Sequence, residues 1–91
     1  MKFRILYEKR VLKHDIPRIS QTDKERIQND IEKKLTTYPE VFAKPLRKSL
    51  KGYRSLRSGD YRIVFRIEKN TVKIFLIQHR SVVYKKDVKH L

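Results

Sequence analysis

The sequence predicts an α+β fold, one sheet with helices packed on one of its faces. Three observations point to it. Residues near the N-terminus alternate apolar and polar with a period of two. Residues 27–38 carry an apolar stripe at helical spacing. Residues 53–78 hold three β-rich runs separated by two tight turn signals. At 91 residues, the chain has room for a single domain, residues 1–91, with one small core.

Phe3, Ile5 and Tyr7 alternate with Lys2, Arg4, Leu6 and Glu8, which is the pattern of a half-buried strand. Val11 and Leu12 suit a short helix that stops before Pro17, because the residue ahead of a proline avoids the helical region. Ser20 can cap a second helix, with Asp23 placed to complement the positive helix end. Ile27, Ile31, Leu35 and Tyr38 then share one face, while Glu25, Arg26, Asp30, Glu32, Lys33 and Lys34 form a solvated face of mixed sign. Pro39 is expected to end this helix, and residues 39–52 read as an irregular basic connection. Tyr53–Ser58 and Tyr61–Glu68 read as strands around a turn at Ser58 and Gly59, and Lys69-Asn70 leads into a strand over Val72–Gln78. The expected order is an N-terminal strand, two helices and a three-stranded antiparallel meander, followed by a short C-terminal segment over residues 81–91.

The charge is extreme. Lys and Arg number 24 against 10 Asp and Glu, a net of +14. It is also uneven. Residues 1–40 carry ten basic and seven acidic side chains, a net of +3, and residues 41–91 carry fourteen and three, a net of +11. A field of this kind seeks nucleic acid, an acidic protein or a membrane surface. The longest apolar run, Ile74 to Ile77, is far too short to span a bilayer, so no membrane role is expected. Met1-Lys2-Phe3-Arg4 begins a strand and does not read as a signal peptide. With no cysteine there is no disulfide framework and no thiolate metal site, which fits a cytoplasmic protein.

Strand parity locates the chemistry. In the run from Tyr61, the residues Tyr61, Ile63, Phe65 and Ile67 share one face, and Arg62, Val64 and Arg66 share the other. If Leu56 faces the core, then Tyr53, Ser55 and Arg57 face away from it. The face opposite the helices should therefore present Arg57, Arg62 and Arg66, whose planar guanidinium forks suit phosphate oxygens. Lys48, Lys51 and Lys85 extend this basic surface for RNA binding. Arg80 follows the last strand and can curl over the sheet edge, and Tyr84 can stack on a base. His79 joins Phe75 and Ile77 on a more apolar face by parity. His14, His79 and His90 are scattered and the acids sit mainly in the helices, so no metal or cofactor is expected. RNA allows metal-free cleavage, since its own 2′-OH can attack the adjacent phosphate.

In this order and spacing, Leu50-Lys51-Gly52, Leu56-Arg57-Ser58-Gly59-Asp60-Tyr61-Arg62, His79-Arg80 and Val83-Tyr84 resemble the RelE/ParE superfamily of toxins from toxin–antitoxin pairs. The resemblance covers essentially the whole chain and implies the RelE-like fold. It implies cleavage of mRNA in the ribosomal A site, with inhibition of translation. It also implies catalytic roles for Arg62 on the transition-state phosphate, Arg80 toward the leaving 5′-oxygen and Tyr84 on the mRNA base. Arg57 matches a basic strand position near the cleft. The best-known member carries two lysines on the second strand, one of them the proposed base. Tyr53 and Ser55 stand there in this chain, which leaves Lys51, Arg57 and His79 as the candidates for that place and the base open. That departure keeps open the ParE branch, which poisons DNA gyrase and cuts no RNA; charge alone leaves open a non-catalytic RNA-binding module. The implied partners are mRNA, the ribosome and an acidic RelB-like antitoxin wrapping the basic surface.

Overall fold

The computed structural model describes residues 2–47 and 50–82. Strand β1 spans Arg4–Tyr7. A wide helical turn over Val11–Asp15 tightens into a narrower one over Ile16–Arg18. Against expectation, the helical backbone does not stop before Pro17 but runs through it, with Ile16 in the helical region and the proline in a first-turn position that needs no N–H partner. Helix α1 spans Gln21–Asp30 and continues as a wide turn over Ile31–Leu35. A single helical turn, α2, spans Pro39–Phe42. Four strands follow: β2, Lys44–Pro45; β3, Arg54–Ser58; β4, Tyr61–Glu68; and β5, Thr71–His79. They form a five-stranded sheet in the order β1-β5-β4-β3-β2. β1 runs parallel to β5, and the other pairings are antiparallel. This is the expected α+β architecture with one more strand than predicted.

The helix start follows its sequence signal. Ser20 is extended, and its hydroxyl accepts from the Asp23 amide at 3.2 Å, satisfying one of the orphan donors of the first turn. Ile27, Ile31 and Leu35 are buried against the sheet together with Val11, Leu56, Ile63, Phe65, Ile74 and Ile77. Leu35 and Ile31 are at most 1 % exposed, so truncating either to alanine removes packing worth about 2–5 kcal/mol. Tyr38 departs from the expected stripe. It is 65 % exposed because the helical turns close at Leu35 and the chain redirects before Pro39. Pro39 opens α2 instead of only ending a helix. Its missing N–H costs nothing at a first helical position.

Two further expectations are corrected. The stretch 39–52 is not wholly irregular, since Lys44 and Pro45 pair with Ser55 and Arg54 as a short edge strand. The parity of β5 also breaks. Val64 faces Leu76 but Phe65 faces Ile74, so Phe75 is an extra residue, a β-bulge. Val72 and Ile74 on one side of the bulge, and Ile77 on the other, all reach the helix-side core. Phe75 is displaced from that face and packs edge-on against Tyr53 with ring centroids 5.0 Å apart. His79 therefore keeps Ile77 as a facial neighbour but not Phe75.

Side-chain bonds dock α1 onto the β3–β4 hairpin. The Ser58 hydroxyl donates to Asp30 at 2.6 Å, and Arg26 donates to the Ser58 hydroxyl at 3.3 Å and to its carbonyl at 3.2 Å. Arg26 is held in turn by Asp23 at 2.7 Å. Ser58 is 1 % exposed, so this contact fixes the hairpin end on which Arg57 and Arg62 stand.

Candidate nucleic-acid interface

Ser58 pairs with Tyr61, so Gly59 and Asp60 are the two central residues of the hairpin turn, one position beyond the expected Ser58-Gly59. Arg57 and Arg62 are then direct cross-strand partners. In a two-residue hairpin this next pair is the closely spaced, non-hydrogen-bonded kind, with Cβ atoms about 4.5–5.5 Å apart. Both side chains are exposed, on the sheet face opposite the helices. Arg62 pairs on its other side with Gln78. Two residues further, the Arg80 amide donates to the Asp60 carbonyl at 2.7 Å, and its guanidinium lies 3.7 Å from the Asp60 carboxylate. Arg57, Arg62 and Arg80 thus gather at one end of the sheet, a diagonal step of about 7–8 Å separating the positions of Arg62 and Arg80.

An open concavity of about 540 Å³ adjoins this ledge and curves round the β2 edge; its lining includes Lys34, Lys44, Leu46, Ser55, Arg57 and Arg62. No acidic side chain lines it among the described residues. Lys34 and Lys44 were not singled out from sequence. Lys44 is the more informative, because it is the cross-strand partner of Ser55. The signal was its place before Pro45, a dipeptide that favours extended backbone.

The remaining residues divide. Arg66 lies at the far end of the same face. Its guanidinium sits 5.6 Å from the Tyr53 and Phe75 ring centroids and is ion-paired with Glu68, an arrangement that packs the sheet surface. Lys51 is exposed in the turn before β3, at the opposite end of that strand from Arg57. Between the two ends the face is not bare, since Val64 and Leu76 are at most 1 % exposed. His79 is on the other side of the sheet from Arg57 and Arg62. It is paired with Tyr61, which packs against the helix-side core, and its ring meets the Tyr61 ring edge-on at 5.2 Å. Lys48, Tyr84 and Lys85 lie outside the described residues. Among those described, no three His, Cys, Asp or Glu side chains gather as a metal-ligand set, and no helix is long and apolar enough to cross a membrane.

The fold has counterparts in known proteins. Toxin RelG of Mycobacterium tuberculosis is 41 % identical over 54 residues, 57 % of this chain and 62 % of that protein. Toxin RelE of the same organism is 42 % identical over 53 residues, 56 % of this chain and 55 % of that protein. The match therefore spans less than two thirds of either relative. Among solved structures, the toxin–antitoxin complex RelBE2 of M. tuberculosis superposes with a TM-score of 0.82 at 25 % identity, covering 90 % of this chain and 95 % of that one. YafQ from E. coli shares the fold with a TM-score of 0.58 at 15 % identity, over 91 % of this chain and 99 % of that one. The family model for the ParE toxin of type II toxin–antitoxin (parDE) systems matches residues 5–84. The chain belongs to this family of toxins, within the RelE/ParE superfamily.

Proposed function

We propose that this toxin is a metal-independent, ribosome-dependent endoribonuclease that cuts mRNA in the A site. The observation that carries the reading is the facing pair Arg57 and Arg62, with Arg80 at the same end of the sheet. In the proposed reaction the 2′-oxygen of one nucleotide bonds to the adjacent phosphorus while the bond to the 5′-oxygen breaks, leaving a 2′,3′-cyclic phosphate and a 5′-hydroxyl. Negative charge builds on the phosphoryl oxygens, and preorganised guanidinium donors stabilise it without reorganising. Arg62 and Arg57 take the non-bridging oxygens, and Arg80 lies toward the leaving oxygen. The proton of the 2′-hydroxyl passes to a basic group on this face, for which Lys44 as its neutral amine beside Ser55 is better situated than His79, and the leaving 5′-oxygen takes a proton from a water beside Arg80. Tyr84 and the basic side chains of Lys48, Lys51 and Lys85 extend the contact to the mRNA. The toxin acts in the cytoplasm and is silenced there by an acidic antitoxin drawn to the same charge.

Programmed ribosomes carrying a defined mRNA test the reading. The wild-type protein should yield a codon-positioned cut, and the double variant Arg62→Gln, Arg80→Gln should lose at least about 10²-fold in rate, the scale seen on removing one oxyanion donor. Undiminished cleavage by the double variant overturns it.

A second reading has its own support in the ParE family match and in Tyr53 and Ser55 at the lysine positions. Under it the protein inhibits DNA gyrase. Induced cells would then show DNA damage with intact mRNA, and the wild-type protein would make no cut on programmed ribosomes.

A further inference from the structure

A second cleft, of about 320 Å³, opens on the helix side of the sheet at the end of β5; its lining includes Arg10, His14, Asp15, Arg18, Tyr61 and His79. It exists because β1 is too short to cover its neighbour. Pairing of β1 with β5 stops at Tyr7 and Ile74. Beyond that point the buried Asp15 carboxylate replaces a strand, accepting the Ile77 amide at 3.0 Å. The Ile77 N–H thus points away from β4. By strand alternation the His79 amide, two residues on, points to the same open edge.

The two histidines are oriented by different partners. Asp15 also lies 2.8 Å from Nδ1 of His14, and a carboxylate only accepts, so in the neutral ring His14 carries its proton on Nδ1 and offers Nε2 as an acceptor. His79 is the reverse. Its Nδ1 accepts the Ser81 amide at 3.1 Å and lies 2.7 Å from the Ser81 hydroxyl, so its ring proton is on Nε2, a donor. Arg10, His14 and Arg18 recur every four residues, which sets them along one flank of the helical turns.

We propose that this cleft binds a phosphomonoester of nucleotide size. Arg18, Arg10 and the His79 Nε2–H supply donors for a dianionic phosphate, His14 Nε2 accepts a ligand hydroxyl, and the Tyr61 ring forms part of the wall. A volume near 320 Å³ falls at the small end of ligand pockets. The ligand is a free nucleotide or the phosphorylated 5′ end of an RNA, which share this chemistry. The site lies across the sheet from Arg57 and Arg62, so it stands or falls apart from the ribonuclease reading.

The test is an NMR titration of the full-length ¹⁵N-labelled protein with adenosine 5′-monophosphate, with adenosine as control. Long-range spectra of the imidazole rings should show Nδ1–H for His14 and Nε2–H for His79 before any ligand is added. The monophosphate should then shift His14, Arg18 and His79 saturably, and adenosine should not. Arg18 is exposed, so Arg18→Gln keeps the fold, and it should weaken binding about tenfold or more. The double variant Arg57→Gln, Arg62→Gln should bind the monophosphate as the wild type does. A 5′-phosphorylated hexaribonucleotide that binds where the free monophosphate fails identifies an RNA end as the source. Failure of both ligands, shifts centred on Arg57 and Arg62, unsaturable shifts over the whole surface, equal binding of adenosine, or indifference to Arg18→Gln overturns the proposal.

Discussion

Arg57→Gln should leave the free protein as stable as before or make it more stable, even though it should weaken RNA binding. Arg57 and Arg62 are directly opposed on adjacent strands in the close type of pair, and no acid lines the concavity they share. Their Cβ atoms stand about 5 Å apart, and like charges at that spacing would repel by roughly 1 kcal/mol in water, an upper bound because the long side chains can splay. Both are solvent-exposed, so about 0.3–1 kcal/mol is the realistic scale. Against this, Arg57 gives up one long bond from Nε to the Gly59 carbonyl at 3.4 Å, in water and of little worth. The net gain, up to about 0.5 kcal/mol, corresponds to roughly 2–4 °C in Tm for a domain of this size. The assay is urea unfolding at low salt and at 1 M salt. The gain should appear at low salt, shrink at 1 M where the Debye length is about 3 Å, and leave the m-value unchanged. A loss above about 1 kcal/mol at low salt refutes the reasoning. Arg57 would then be a structural residue held by its own protein and not one set against its neighbour for an anion to bridge.

Three further outcomes follow from the geometry. Asp15 is 6 % exposed and accepts the Ile77 amide, so Asp15→Ala should cost about 1–3 kcal/mol in urea unfolding by leaving that N–H without its partner. Gly59 has φ +59°, and a Cβ there would stand 2.6 Å from the Arg26 guanidinium, so Gly59→Ala should cost about 1–2 kcal/mol and loosen the hairpin from α1, read as faster amide exchange at Ser58. The Arg26 guanidinium, and after it the Ser20 hydroxyl, hold the Asp23 carboxyl below its ordinary value. Its contribution to stability is therefore complete above about pH 4, the unfolded value, and lost as pH falls through the lower folded value. Asp23→Asn should flatten the acid limb of the stability curve below pH 4, and an unchanged limb would contradict the assignment.

Much of this was legible in the chain, for identifiable reasons. The faces of β3 and β4 follow from simple alternation, and Leu56, Ile63 and Phe65 are apolar enough to declare which face is inward. That sufficed to put Arg57 and Arg62 on the other face. Ser20 was readable because a cap acts locally, through its own hydroxyl and the next turn. What escaped depends on distant partners. β2 is two residues long and contains a proline, so it has no periodicity, and its register with β3 comes from tertiary pairing. The bulge at Phe75 inserts one residue and reverses parity, and nothing in a run of apolar residues marks where it falls. Nothing in the sequence sets Asp15 apart from the other acids of the helical segments, yet it finishes the edge of β5 sixty-two positions away. Arg66 had the same sequence signal as Arg62. Only the meeting of Tyr53 and Phe75 around it shows that Arg66 is packed into the sheet surface.

The central claim is that Arg57 and Arg62 together meet RNA phosphate, and the most direct measurement is the salt dependence of affinity for a short single-stranded RNA. Each phosphate contact on a single strand contributes about 0.7 to the slope of log K against log salt, so the double variant Arg57→Gln, Arg62→Gln should lower that slope by about 1.4 relative to the wild type. An unchanged slope in the folded double variant would mean that RNA is held elsewhere on the protein's basic surface.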